Sequence, residues 1–107
     1  MIMRRLFVSQ PMRGKTEDEI IEARDKAIER LSRRLNEGFE VAESYFTEDE
    51  PKDVKNSGVY WLGKSLELLS ECDLVLFIGD WMSYRGCVVE YDACINYGIE
   101  IIEDRGE

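Results

Sequence analysis

One carboxylate, Glu90, follows a predicted strand at the place where parallel sheets bind ligands. The strand is the apolar run from Leu74 to Ile78, whose β-branched and aromatic residues are typical of a strand buried on both faces. The run breaks at Gly79-Asp80, and Gly86 opens a segment with helical spacing. Because ligands bind beyond the carboxyl ends of such strands, a carboxylate ionised by the helix N-terminus can serve there as a nucleophile, a base or a hydroxyl acceptor. The alternative is an acid that only stabilises the first helical turn.

The loop from Gln10 to Lys15 is the second candidate for chemistry. It joins a predicted strand, Arg4–Ser9, to a helix whose start is marked by a capping box at Thr16. Backbone amides at such a junction can hold a phosphate or another anion, and Arg13 and Lys15 add positive charge. The loop has neither a GxGxxG nor a Walker pattern, so an ordinary connecting loop with two solvated bases is the alternative.

Composition excludes several classes of protein. The 107 residues carry a net charge of −9, from 23 acids and 14 bases, which argues against a nucleic-acid polymer as partner but not against a single nucleotide. The absence of histidine excludes histidine base catalysis and most zinc sites, and we expect no metal and no cofactor. The three cysteines, Cys72, Cys87 and Cys94, lack CxxC spacing and are predicted to be core residues.

Length and hydropathy predict a soluble, assembled protein. No signal peptide and no run long enough to span a membrane is visible, so we expect a cytoplasmic protein without a membrane partner. A chain this small buries a modest fraction of its surface, and it has many aromatic residues near predicted loops. We therefore expect a homodimer or a higher homo-oligomer. The aromatic residues in question are Tyr45, Phe46, Tyr60, Trp61, Trp81 and Tyr84.

Hydrophobic periodicity predicts alternating strands and helices. The predicted strands are Arg4–Ser9, Phe39–Ala42, Leu74–Ile78 and Ile99–Ile102. The first helix runs from Thr16 to a left-handed cap at Gly38, the second spans Val59–Glu71, and the third spans Cys87–Tyr97 with Gly98 as its cap. Val89, Ala93 and Tyr97 give the third helix its apolar spacing, and residues 43–58 form a long polar loop.

The order β-α-β-loop-α-β-α-β predicts an α/β protein. Right-handed crossovers then give a three-layer α/β/α, Rossmann- or flavodoxin-like fold with a four-stranded parallel sheet of order 2-1-3-4. Arg4–Ser9 and Leu74–Ile78 are the adjacent, central strands of this sheet. Residues 1–107 are predicted to form a single domain.

Three stretches, in this order and spacing, resemble the nucleoside 2-deoxyribosyltransferase superfamily, in particular its small phage and bacterial branch. The first is the strand and Gly-containing loop Phe7-Val-Ser-Gln-Pro-Met-Arg-Gly14. The second is Leu69-Ser-Glu-Cys-Asp73, which enters the third strand. The third is Gly86-Cys-Val-Val-Glu90, followed by Ala93 and Tyr97-Gly98. The resemblance covers most of the chain apart from residues 43–58.

The resemblance implies a role for each of these stretches. The glutamate of the G-x-x-x-E segment is the family's nucleophile, which attacks the anomeric carbon of a 2′-deoxynucleoside, and it corresponds to Glu90. The implied binding residues lie in the first loop, after the third strand and at the start of the last segment. They are Gln10, Met12, Arg13, Gly14, Lys15, Asp80, Ser83 and Gly86.

The expected function is therefore cleavage or transfer of an N-glycosidic bond, as in a deoxyribosyltransferase or a nucleotide N-glycosidase. The small-molecule partner is a nucleoside or a nucleoside 5′-monophosphate, and Arg13 and Lys15 favour the phosphorylated ligand. The alternative is a catalytically weak nucleotide-binding or sensing module on the same fold. Ser65 favours this alternative, because related members carry an acid at the corresponding position.

Overall fold

The computed structural model describes residues 2–106 and contains four parallel strands. The strands are β1 (Arg4–Ser9), β2 (Phe39–Val41), β3 (Leu74–Ile78) and β4 (Glu100–Asp104). The three helices are α1 (Glu17–Leu35), α2 (Ser57–Leu69) and α3 (Arg85–Tyr97). The sheet order is β2-β1-β3-β4 and every pair is parallel, which confirms the predicted topology.

The two central strands, β1 and β3, separate two hydrophobic cores. Successive side chains of a strand point to opposite faces, so Leu6 and Val8 pack toward α1 while Phe7 packs toward α2 and α3. All five residues of β3 are buried. This arrangement places the carboxyl ends of β1 and β3 side by side, with a helix layer on each face of the sheet.

The helix ends follow from side-chain caps. Thr16 and Glu19 form the predicted capping box at the start of α1. The predicted cap at Gly38 is wrong, because Asn36 adopts the left-handed conformation at φ 51° and ends the helix two residues earlier. Helix α2 begins at Ser57, since the side chain of Asn56 accepts a hydrogen bond from the amide of Val59. Gly98 caps α3 at φ 70°, as predicted.

The inward face of α3 differs from the face that its apolar residues predicted. Val89 and Tyr97 are 40% and 83% exposed. The buried residues are Cys87, Glu90 and Cys94, which lie three and four positions apart and therefore share one face of the helix. Burial of the two cysteines was predicted, and burial of the carboxylate between them is the feature on which the site depends.

Candidate active site

A cavity of about 700 Å³ opens beyond the carboxyl end of β1, on the face of the sheet covered by α2 and α3. Its floor is the end of β1, and its walls are the first residues of α3, the first half of α2 and the segment 44–46. Ser44 fixes that segment, because its hydroxyl donates to the carbonyl oxygen of Val8 at 3.1 Å. The volume lies within the range of roughly 300–1,000 Å³ that is usual for small-molecule sites.

Glu90 and Ser9 meet at the base of this cavity. The Ser9 hydroxyl donates to Oε1 of Glu90 at 2.6 Å, and both residues are buried. Burial raises the pKa of Glu90 to about 7, while the hydrogen bond from Ser9 acts in the opposite direction. Burial therefore favours the protonated form of this carboxyl group.

The position of Glu90 in α3 does not explain its pKa. Glu90 is the sixth residue of α3, which carries no acid in its first turn, and the field of a helix terminus falls off within one turn. Burial, rather than the helix N-terminus, sets the charge of this carboxylate.

Two thiols flank the carboxylate on α3. Cys87 also lines the cavity, whereas Cys94 is fully buried. Burial raises the pKa of both thiols to about 11. They are therefore uncharged at neutral pH and contribute a weakly polar surface around Glu90, which favours the protonated carboxyl group.

One wall of the cavity is aromatic. Phe46 and Trp61 stack with ring centroids 5.7 Å apart and an interplanar angle of 22°, and Tyr45 lines the cavity beside them. Glu50 fixes this wall, because it accepts hydrogen bonds from Nε1 of Trp61 at 3.2 Å and from the hydroxyl of Ser57 at 2.8 Å. A flat apolar surface of this kind suits the face of a nucleobase.

The predicted site residues fall into three groups. Glu90 and Gly86 line the cavity together with three residues of the first loop, Gln10, Met12 and Arg13. Lys15 and Asp80 instead line a second cavity of about 450 Å³, which lies between α1 and the ends of β3 and β4. Gly14 and Ser83 line neither cavity. The loop therefore separates Arg13 from Lys15, although the two residues are close in sequence.

Sequence reasoning missed Ser9 and the aromatic wall. Ser9 could have been found because it is a polar residue at the end of a buried strand, and that strand is adjacent to the one that precedes Glu90. The unusual length of the loop 43–58 was the signal for Tyr45 and Phe46, since long loops often carry function. Ser65, where the resemblance leads one to expect an acid, does line the cavity.

The residues described, 2–106, include no group of three or more acids or cysteines placed to hold a metal ion. Over the same range, no helix has the length and apolar character that crossing a membrane requires. The larger cavity presents one carboxyl group, one thiol, several hydroxyl and amide groups, and two arginines.

No protein-family model matches the sequence, and no curated protein matches it. In structure, the chain is similar to the 2-deoxyribosyltransferase of the psychrotolerant bacterium Bacillus psychrosaccharolyticus, described as a biocatalyst for the synthesis of antiviral and antitumoral nucleosides. The TM-score is 0.60 at 16% sequence identity, over 96% of this chain and 74% of that one. The chain thus has the nucleoside 2-deoxyribosyltransferase fold, as its sequence predicted.

Proposed function

We propose that this protein cleaves or transfers the N-glycosidic bond of a nucleoside or a nucleoside 5′-monophosphate, with Glu90 as the nucleophile. The observation that carries the proposal is the Ser9–Glu90 pair at the base of a cavity of nucleoside size. Ser9 engages Oε1, which leaves Oε2 of Glu90 free to approach the anomeric carbon.

The proposed reaction has two steps. In the first, a carboxylate oxygen of Glu90 bonds to C1′, the bond between C1′ and the base nitrogen breaks, and its electron pair leaves with the base, which takes up a proton from solvent water. In the second, water or another base attacks C1′, the ester bond breaks with its electron pair returning to the Glu90 carboxylate, and the attacking molecule gives up a proton to solvent. A close carboxylate is what an oxocarbenium-like centre requires, as in retaining glycoside hydrolysis.

The remaining lining supports a nucleotide as the ligand. The aromatic wall of Phe46 and Trp61 offers a stacking surface for the base. Arg13 and Arg85 line the cavity with exposed side chains, and a guanidinium group binds phosphate with paired hydrogen bonds. Two arginines in one cavity of a protein whose net charge is −9 favour a small phosphorylated ligand over a nucleic-acid polymer.

A nucleotide-binding module without useful turnover is the second candidate. Its support is that, among residues 2–106, Glu90 is the single carboxyl group that lines the larger cavity. Ser65 occupies the α2 wall where an acid would otherwise assist the sugar or the departing base, and Glu67 on the same helix is exposed outside the cavity. Such a module would bind the same ligands and release no base.

The test is release of free base from a panel of 2′-deoxynucleosides and their 5′-monophosphates. Glu90→Gln keeps the shape of the side chain and removes its charge, so binding should persist while turnover falls by orders of magnitude. Glu67→Gln is the matched control and should keep the activity of the unmodified protein. Base release that survives Glu90→Gln would overturn the mechanism, and binding without release in the unmodified protein would favour the binding module.

A further inference from the structure

Arg85 brings a guanidinium group to the larger cavity without a carboxylate partner. It forms no ion pair with the residues described, 2–106, and it lines the cavity with an exposed side chain. A Cβ placed on Gly58, the second residue of α2, would lie 3.5 Å from Nη2 of Arg85. The guanidinium group therefore rests against the first turn of α2.

Asn56 presents a second donor at the same point. The Cβ position of Gly58 lies 3.4 Å from Oδ1 of Asn56, and this oxygen accepts the amide of Val59 at 2.9 Å in the cap of α2. Because the cap engages the oxygen, the contact determines which atom of the side chain is Nδ2. The N–H groups of Nδ2 take no part in the cap and are donors for a ligand. Asn56 also lines the larger cavity.

The described residues that line the cavity leave the charge of Arg85 uncompensated. The first turns of α2 and α3 carry no acidic residue. Glu90 is the single described carboxyl group in the lining. Glu50, near the start of α2, accepts hydrogen bonds from Ser57 and Trp61 and does not line the cavity. On a chain of net charge −9, a guanidinium group in such a cavity favours an anionic ligand.

The first loop, which the sequence suggested as the anion site, is less suited to this role. Lys15 lines the other cavity and Gly14 lines neither. The amide of Lys15 is already bonded to the carbonyl oxygen of Met12 at 3.1 Å. Of the two cations of the loop, Arg13 alone lines the larger cavity. The start of α3 therefore offers the better anion site, with Arg85 and Asn56 as its donors.

We propose that Arg85 and Asn56 bind a phosphate group on the sugar of the substrate, so that the ligand is a nucleoside monophosphate rather than a nucleoside. This step rests on the proposed function, because the same cavity must hold the sugar at Glu90. Arg85 precedes Glu90 by five residues of α3, or about 7.5 Å along the helix axis, which is the scale of one sugar with its phosphate. A guanidinium group binds phosphate through paired, charge-assisted hydrogen bonds. Phosphate at the 3′ or the 5′ position offers the same chemistry, and the ligands below distinguish the two.

The experiment measures binding in the Glu90→Gln variant, so that turnover does not interfere. Calorimetry at one ionic strength compares 2′-deoxyadenosine with its 5′-monophosphate and its 3′-monophosphate. At least one monophosphate should bind about tenfold more tightly than the nucleoside, or better. With Arg85→Gln added, this advantage should fall to about threefold or less, while binding of the nucleoside changes little. Asn56→Asp keeps the capping oxygen and removes Nδ2, so it should weaken binding of the monophosphate in the same direction.

Two arginine variants are the matched controls. Arg34→Gln removes an exposed arginine that lies outside the larger cavity and forms no ion pair with the described residues. Arg13→Gln removes the other arginine of the cavity. Both variants should keep most of the advantage of the monophosphate, because neither changes the donors at the start of α2.

Several results would overturn the proposal. One is equal binding of the nucleoside and both monophosphates by the Glu90→Gln variant, which needs no change at Arg85 and hence no assumption about its folding. A second is an advantage of the monophosphate that survives Arg85→Gln in a protein whose thermal melting shows it to be folded. A third is loss of that advantage with Arg13→Gln or Arg34→Gln instead, and a fourth is no binding of any of the three ligands. Because base release is not measured, a failure of the proposed reaction would be recorded separately.

Discussion

Ser9 and Glu90 form the pair on which the proposed chemistry depends. Burial raises the pKa of Glu90 to about 7, and the hydrogen bond from Ser9 opposes that shift. Nucleophilic attack needs the ionised carboxylate, so the fraction of active protein should rise with pH through about 7 and level off above it. Ser9 is a positioning residue in this view, because it acts through Glu90.

Replacing Ser9 by alanine removes the group that lowers the pKa of Glu90. The midpoint of the pH–rate profile should move up by about one pH unit, so that activity falls more at pH 6 than at pH 9. The measurement is the initial rate of base release across this range. Ser44→Ala is the matched control, since Ser44 is a buried serine of the same cavity whose hydroxyl binds the Val8 carbonyl instead. An unshifted midpoint in Ser9→Ala would show that Ser9 does not set the charge of Glu90.

At the scale of elements, the buried strands were predictable and one helix face was not. The bounds of β1 and β3 are those predicted, because a continuous apolar run has few alternatives to a strand buried on both faces. In α3, Val89 and Tyr97 suggested the wrong face. The buried face carries Glu90 between two cysteines, and a buried carboxylate on the inward face of a helix contradicts the polarity pattern on which the prediction relies.

The same reasoning explains how much of the candidate site the sequence revealed. Glu90, Gln10 and Arg13 were found because the ends of adjacent parallel strands define an edge at which loops converge. The aromatic wall was not found, since a loop without periodicity gives no indication of which strand or helix it folds against. The separation of Arg13 from Lys15 depends on the path of a short turn, where Lys15 donates its amide to the Met12 carbonyl.

The segment 43–58 should contribute to binding through Glu50. Glu50→Ala removes the acceptor that Ser57 and Trp61 share, so the aromatic wall should lose its fixed position. We expect KM for base release to rise several-fold while kcat changes little, because Trp61 is proposed to contact the base and not the reacting carbon. Glu48→Ala, in the same loop with an exposed side chain, is the control. A fall in kcat at constant KM would contradict this role.

At the scale of the whole molecule, the aromatic residues give less support to an oligomer than the sequence suggested. Trp81 is 5% exposed and stacks on Tyr91 at 4.6 Å, and Trp61 packs against Tyr60 and Phe46. These rings therefore pack against each other within one chain. The small size of the chain still favours assembly, and a homodimer stays our prediction. Light scattering at micromolar concentration should give the mass of two chains, and the mass of one chain would count against it.

The buried carboxyl group also links folding stability to pH. The pKa of Glu90 is about 7 in the folded protein against 4.5 as the ordinary value, so between these values the folded state holds more protons than the unfolded state. The contribution of Glu90 to stability is therefore fully present below about pH 4.5 and is lost as pH rises through about 7. Its loss amounts to at most about 3 kcal/mol.

The corresponding prediction compares Glu90→Gln with the unmodified protein in urea unfolding. The free energy of unfolding of the unmodified protein should fall relative to that of the variant as pH rises from 4.5 to about 7, because the variant has no proton to lose at this position. Above about pH 7 the difference between the two should be constant. Glu67→Gln, at an exposed position on α2, should show no such trend. Parallel stability curves for Glu90→Gln and the unmodified protein would mean that Glu90 is not desolvated in the folded state.

The most direct test of the central claim is to trap the sugar on Glu90. A 2′-deoxy-2′-fluoroarabinosyl nucleoside slows attack at C1′ by destabilising positive charge there, and hydrolysis of the ester formed is slowed in the same way. Peptide mass spectrometry of the treated protein should show one fluoroarabinosyl group on Glu90, with an equal amount of base released, and no adduct in Glu90→Gln. Release of base from an unmodified Glu90 peptide, or an adduct on another residue, would contradict the account.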